Sequence, residues 1–380
     1  MASSAPKIAE VERTEADDVV DQKAQELVDL ITKSKHFIAF TGAGVSTSAG
    51  IADFRGTDGV WTLRAQGRDR DIKSANALQA IPTATHMALV ELQNRGILKY
   101  LVSQNCDGLH RKSGILPDRI SELHGNSNRE YCKDCNQEYI RDFRAVSTYE
   151  KSIHDHRTGR KCALCGGVLL DTIINFHEML PEVPLKRARQ HAKKADLCLA
   201  LGSSLTIPPA CTIPETVGNK RSGTLVICNL QSTPLDDKAG LQIYAKADDL
   251  MERVMHKLGL VIPPFVLHRK LIVEVAAKGA KGDRHELIVS GVDVDGTPAT
   301  FLKSVRLAAR RRGVESEPFA IPLLGSLEAL GPLRVSLEFM GHYGEPALEL
   351  DMDPVIGKTV HLLEYSPHTG EWVHKREPAP

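Results

Sequence analysis

The sequence predicts an α/β fold: a Rossmann-like parallel sheet with an inserted module, followed by a C-terminal β-rich domain. Three observations support it. Short apolar runs alternate with helix-period segments between residues 19 and 262, the rhythm of a mostly parallel sheet covered on both faces. Two CxxC pairs interrupt that rhythm within about residues 126–170. From about Pro263 the apolar residues recur at alternate positions, as antiparallel strands require.

Residues 1–18 are expected to form a flexible tail. Residues 19–33 then place Val20, Ala24, Leu27, Val28 and Ile31 at the spacing of one helix face. "HFIAF" is short, apolar and ends at glycines, as a buried parallel strand does. Pro82 opens and Gly96 closes the helix-like "PTATHMALVELQNRG", and "LKYLVSQN" reads as the next strand. Beyond the cysteines, "DTIINF" reads as a strand, "LKRARQHAKKA" as a helix, "DLCLALGSS" and "TLVICNL" as strands, and "ADDLMERVMHKLG" as a helix. Ligands of such sheets sit at the carboxyl ends of the strands, so Gly42, Gln104, Gly202 and Asn229 fall on one rim. Residues 263–380 read as a separate β domain of no assigned role.

The 48 basic and 48 acidic residues balance, so no global field draws the chain to nucleic acid or membrane, and any such contact needs a local patch. No apolar run approaches the roughly 20 residues of a spanning helix, and "MASSAPKIAEVERTEADD" lacks the apolar stretch of a signal peptide. Cytosolic or nuclear placement is expected, with reduced cysteines. Four of the eight cysteines sort by spacing. Cys132 and Cys135, then Cys162 and Cys165, form C-x2-C-x26-C-x2-C, two tight turns whose four thiolates close a tetrahedral site for one structural Zn2+. A closed site of this kind has no open position for chemistry. His154 and His156 lie in the spacer and read as solvated loop residues. Cys198 and Cys228 sit in apolar runs and read as small buried hydrophobes.

Gly42-Ala43-Gly44 at a strand end lets the backbone approach a pyrophosphate. It is a poor hydride-carrier fingerprint. Thr47 stands where a third glycine belongs, and "WTLRAQGRDRD" reads as a loop, so no second strand carries the acidic residue such a site needs. "SQNCDGLH" brings Gln104, Asn105 and Asp107 to another strand end, where amides and a carboxylate suit the carboxamide and ribose of a nicotinamide nucleotide. "SELHGN" presents His124 just before the first cysteines.

"TGAGVSTSAGIADFRG", "SQNCDGLH", "ELHGN", two CxxC pairs, "NFHE", "LGSSL" and "CNLQ" occur in the order found in sirtuins, the NAD-dependent protein-lysine deacylases. The chain resembles them over about residues 20 to 260, and most resembles the nuclear class IV branch, the sirtuin six and sirtuin seven type. The resemblance implies a catalytic domain over 19–262, a nuclear location and cleavage of NAD. An acetyl-lysine carbonyl oxygen attacks the anomeric carbon of the nicotinamide ribose and nicotinamide leaves. An alkylamidate forms; His124 then serves as general base on a ribose hydroxyl, which attacks the amidate carbon, and water completes release of lysine and O-acetyl-ADP-ribose. Asn105 and Asp107 would seat the nicotinamide and ribose. Ala43, Thr47, Asp53, Phe54, Arg55 and Trp61 would belong to a cofactor loop that shields the reacting carbon. Gly202, Ser203, Ser204, Asn229, Leu230 and Gln231 would bind phosphate and adenosine ribose, with Ala247 near the adenine. Phe176, His177 and Glu178 would line the substrate side, where an acylated peptide pairs as a β strand.

The sequence departs from the family pattern at Ala52 and Thr57, where prolines are common, and at His177, which replaces a glycine at the acyl channel. Ala52 and Thr57 should leave the loop less rigid; His177 should narrow or polarise the channel mouth. Two other readings stand beside deacylation: mono-ADP-ribosyl transfer, and a non-catalytic NAD-sensing chromatin scaffold. The expected partners are acylated histone tails and, through Arg306, Arg310, Arg311 and Arg312, nucleosomal DNA. No membrane contact is expected, and the oligomeric state has no signal.

Overall fold

A computed structural model describes residues 11–148, 152–278 and 284–378. The chain divides into two compact units. The first comprises Met1–Ser127, Tyr149–His156 and Thr172–Phe265; the second comprises Asn128–Thr148, Arg157–Asp171 and Val266–Pro380. This differs from the division expected above, because the cysteine-bearing strands group with the C-terminal β region.

The first unit is built on a six-stranded parallel sheet in the order Leu241–Ile243, Thr224–Cys228, Leu197–Leu201, Phe37–Thr41, Leu98–Ser103, Ile120–Glu122. Phe37–Thr41 and Leu197–Leu201 are buried at every position. Both faces of these strands are covered, which is why they read as unbroken apolar runs. On one face the helix Asp17–Lys33 buries Val20, Ala24, Leu27, Val28 and Ile31. The helix expected from Pro82 begins at Ala84, because Thr83 caps it and His86 closes a reciprocal capping box. No helix among the described residues is long and apolar enough to cross a membrane.

Three local expectations are corrected. Residues 1–10 of the expected flexible tail lie outside the described residues, but the tail does not extend to residue 18. The Arg13 amide donates to the Leu230 carbonyl and the Glu15 amide to the Tyr244 carbonyl, and the helix starts at Asp17. "WTLRAQG" is not loop: Val60–Ala65 is a short helix, started by Val60 and Trp61 amides bonding the Asp53 and Phe54 carbonyls. "DTIINF" is not a strand beyond Asp171. Its backbone serves the loop before it, since Thr172 Oγ1 exchanges hydrogen bonds with the Asn126 backbone and the Ile174 amide donates to the His124 carbonyl.

The second unit holds a five-stranded antiparallel sheet, Phe319–Leu324, Arg284–Val292, Leu267–Ala277, Gly357–Ser366 and Glu371–Pro378, and a three-stranded one, Leu302–Leu307, Leu333–Phe339 and Leu348–Met352. Their inward alternate residues make one core around Leu271, Phe301, Val335 and Leu337. A third sheet carries the cysteines, in the order Ala299–Thr300, Glu138–Arg141, Arg129–Cys132, Val168–Asp171, Arg157–Lys161.

Candidate functional site

Gly42, Gln104, Gly202 and Asn229 each follow directly on a parallel strand, so the chain arrives at one rim four times. Three glycines make that rim passable. A Cβ on Gly42 would lie 2.6 Å from the Gly202 carbonyl, one on Gly44 would lie 2.7 Å from Gly202 Cα, and one on Gly202, whose φ is +57°, would lie 2.7 Å from the Gly44 backbone. Backbone therefore meets backbone with no room for a side chain. The Gly44 amide bonds the Gly202 carbonyl at 2.9 Å, and the result is a cradle walled by peptide groups, the kind a pyrophosphate can approach.

Polar side chains from the neighbouring strand ends are tied into the cradle. Asn105 Nδ2 donates to the Gly42 carbonyl at 3.0 Å, and Ser203 Oγ donates to Gln104 Oε1 at 2.7 Å. Asp107 accepts from Ser46 Oγ at 2.8 Å and from the Leu109 amide at 2.9 Å. His124 joins through the backbone: its Nδ1 lies 3.0 Å from the Gln104 carbonyl oxygen. A carbonyl can only accept, so Nδ1 carries the proton and Nε2 keeps its lone pair. Burial lowers the His124 pKa, the Gln104 hydrogen bond opposes that, and the Arg55 charge adds to it, leaving the imidazole below its ordinary value.

The segment after the glycines forms a second cluster. Phe54 and Trp61 rings lie 4.8 Å apart, Trp61 and Phe176 5.1 Å, and the Arg55 guanidinium sits 4.5 Å from the Trp61 ring. Asp53 turns the chain here by accepting from the Gly56 amide at 3.0 Å, and burial holds its carboxyl above the ordinary value. Phe54 and Phe176 remain exposed, an apolar surface beside the cradle. Thr47 Oγ1 donates to the Gly44 carbonyl at 3.1 Å, and Ala43 starts the short turn of Ala43–Val45. A separate group lies along the next strand ends. Ser204 Oγ faces Thr206 Oγ1 at 2.9 Å, Asn229 Nδ2 donates to the Gln231 carbonyl at 2.9 Å, and the Leu230 carbonyl is taken by Arg13. Ala247 opens the helix Ala247–Lys257.

Sequence reasoning missed the residues that brace the cradle from below. Thr41 Oγ1 lies 2.8 Å from His110 Nε2; Thr83 Oγ1 donates to the Val45 carbonyl at 3.0 Å and meets His86 Nδ1 at 2.8 Å. The His86 and His110 rings are fully buried, 4.5 Å apart. Burial outweighs the Asp248 charge and pushes His86 down to about 4, and burial also lowers His110. Asp248 accepts from Ser48 Oγ and, at 2.8 Å, from the Thr85 amide. A polar side chain inside an apolar helical segment, such as His86, was the one available signal.

In the segment expected to line the substrate side, His177 adopts a left-handed φ of +71°. Glu178 closes this turn, accepting from the Asn175 amide at 2.7 Å. His154 Nδ1 and His156 Nε2 both reach Glu178 Oε1, at 2.7 and 2.9 Å. His154 is solvent-exposed, as expected from sequence, and His156 is partly buried, but both are also bound to a carboxylate. Burial raises the Glu178 pKa, and the two histidines and the Asn175 amide more than reverse it.

In the second unit the four cysteine sulfurs all lie within 4.8 Å of one another, with Cys132–Cys165, Cys135–Cys165 and Cys135–Cys162 at 3.4, 3.4 and 3.6 Å. Four sulfurs each about 2.3 Å from a tetrahedral ion stand about 3.8 Å apart, so this donor set fits one Zn2+. The ion would hold the two knuckles together.

Compared with known proteins, residues 69–209 match the Sir2 family profile. The chain is 44% identical over 292 residues to the NAD-dependent protein deacetylase SRT1 of Arabidopsis thaliana, covering 75% of this chain and 60% of the relative. It is 41% identical over 260 residues to the NAD-dependent protein deacetylase Sirt6 of Drosophila melanogaster, covering 67% of this chain and 81% of the relative. A solved Sir2 structure holding a deacetylated p53 peptide and 3′-O-acetyl-ADP-ribose matches at a TM-score of 0.50 and 31% identity, covering 62% of this chain and 99% of that one. The chain therefore spans 60% of the length of the plant relative and nearly the whole of the solved Sir2 fold. At this identity and coverage, the chain belongs to the Sir2 family, the sirtuins.

Proposed function

We propose that the chain is an NAD-dependent protein-lysine deacylase that transfers the acyl group to ADP-ribose and releases nicotinamide. The observation that carries this reading is His124: a neutral imidazole, its Nδ1 proton fixed on the Gln104 carbonyl, on the same rim as the glycine cradle. NAD supplies a ribose with a leaving group and hydroxyls to activate. The chain's own residues do the rest. Gly42, Gly44 and Gly202 admit the pyrophosphate to backbone amides; Asn105 and Asp107 orient the nicotinamide ribose; Phe54 and Trp61 exclude water; His124 Nε2 takes the hydroxyl proton. His177 and Glu178 shape the entry of the acyl-lysine.

Relatives and solved neighbours named as deacetylases support this reading, as does the peptide and acetyl-ADP-ribose of the solved Sir2 complex. The proposed substrates are histone tails in the nucleus, with Arg306, Arg310, Arg311 and Arg312, all exposed, adding a salt-sensitive contact to nucleosomal DNA. The test is wild type and His124→Tyr, each with NAD and a panel of acetyl, succinyl and myristoyl histone peptides, products read by mass spectrometry. Wild type should yield O-acyl-ADP-ribose, and the variant should lose about 100-fold or more. Full activity in the variant would overturn the role of His124; ADP-ribosylated protein without acyl transfer would favour mono-ADP-ribosyl transfer; no product on any peptide would favour the scaffold.

A further inference from the structure

The C-terminal β region has no part in the chemistry above, yet it reaches the cysteine site through a continuous set of contacts inside the second unit. Ala299 and Thr300 pair in parallel with Ile140 and Arg141, extending the cysteine-bearing sheet by one strand. The Ile140 amide donates to the Pro298 carbonyl and the Asp142 amide to the Thr300 carbonyl, both at 2.9 Å. Arg141 Nη1 donates to Thr300 Oγ1 at 2.6 Å while its guanidinium lies 4.6 Å from the Tyr139 ring. The Tyr139 hydroxyl oxygen accepts from the Ala163 amide at 3.1 Å, which leaves its own proton for Cys162 Sγ, also at 3.1 Å. Ala163 lies within the second CxxC, so one buried phenol holds both a knuckle's backbone and its sulfur.

We propose that the C-terminal β region is a retention clamp for the zinc centre, acting through Thr300, Arg141 and Tyr139. A thiolate that accepts an O–H bond carries less charge for a proton or a competing ligand to attack, and groups around the first ligands commonly change metal affinity by about 10–100-fold. Tyr139 supplies that bond. Arg141 fixes the plane of the Tyr139 ring, and Thr300 fixes Arg141. These are positioning residues, and their role is independent of the reaction catalysed in the first unit.

The experiment measures the rate at which the zinc-loaded full chain releases metal to a chromogenic chelator. Tyr139→Phe keeps the ring and removes only the hydroxyl, and should release zinc about 10-fold faster. Thr300→Val should also speed release, and the double variant should be no faster than Tyr139→Phe alone, because the two lie on one route. Arg334→Ala, which removes a surface pair with Asp351 in the same unit, should leave the rate unchanged and controls for general loosening. Release from Tyr139→Phe at the wild-type rate would overturn the hydroxyl's role. A Thr300→Val rate equal to wild type, additive effects in the double variant, or an Arg334→Ala rate as fast as Thr300→Val would overturn the link to the C-terminal region.

Discussion

Two regions of the molecule bury polar groups in opposite ways. Beneath the glycine cradle the buried rings are neutral: His86 and His110 lie against each other at a tilt and bond to threonine hydroxyls. Around the cysteine strands they are charged. Glu130, with its side chain fully shielded, accepts from Arg141 Nε at 2.7 Å and Arg160 Nε at 2.9 Å, and Arg269 reaches Asp142 at 2.6 Å. The difference follows from how each region is built. The parallel sheet has apolar cover on both faces and needs few polar supports, whereas among the described residues the short cysteine strands share a small apolar cluster, Tyr139 and Leu169 beside Cys132 and Cys162. Charge pairs and metal hold together what hydrophobic burial cannot.

The contrast can be broken most severely at the metal. Removing zinc with a chelator should unfold the cysteine strands, since structural zinc contributes about 10–16 kcal/mol in isolated knuckles, while the parallel sheet should keep its protection; hydrogen exchange of the two units, read separately, checks this. Next comes Glu130→Ala. It leaves the buried Arg141 and the part-exposed Arg160 without their carboxylate, and breaking the buried Arg141 pair costs about 3–5 kcal/mol, measurable as a fall in the urea midpoint.

How much of this could be read in the sequence depended on distance along the chain. Gly42 and Gly44 declare a cradle because two glycines at a strand end act locally, and Cys132, Cys135, Cys162 and Cys165 declare a metal site by spacing alone. The apolar strands and the helix face from Val20 to Ile31 follow from periodicity. The pairing of Ala299–Thr300 with Ile140–Arg141 left no trace, because a two-residue strand has no period and its partner lies far off in sequence. His154 and His156 look solvated in "SIHDHRTGR" for the same reason: Glu178, which binds them, is supplied by a turn whose shape depends on the left-handed backbone at His177.

The gentlest way to sharpen the comparison is pH. His86 is pushed down to about 4 in the fold from the usual 6.5. A histidine with a depressed folded value adds stability that is complete above about 6.5 and drains away as pH falls toward 4. For Glu130, burial raises the pKa, and hydrogen bonds from Arg160, Thr158 and Arg141 carry it below the ordinary 4.5. Its contribution therefore persists at pH 4.5 and is lost only below that. On acidification the stability that neutral His86 contributes should go before the stability that ionised Glu130 contributes. Histidine ring resonances and exchange rates, followed from pH 7 to 4, should show that order; simultaneous loss would mean the two kinds of burial do not set the acid response.

The strand Ala299–Thr300 also imposes an order on synthesis. Its partner Ile140–Arg141 leaves the ribosome about 160 residues earlier, a lead of roughly 10–30 s at ordinary elongation rates. During that interval the cysteine turns can already capture metal, while the edge at Glu138–Arg141 presents bare amides and carbonyls to any other chain. The nascent protein thus spends its most vulnerable seconds with a metal-loaded but open-edged sheet, and the last third of the chain arrives as its cover.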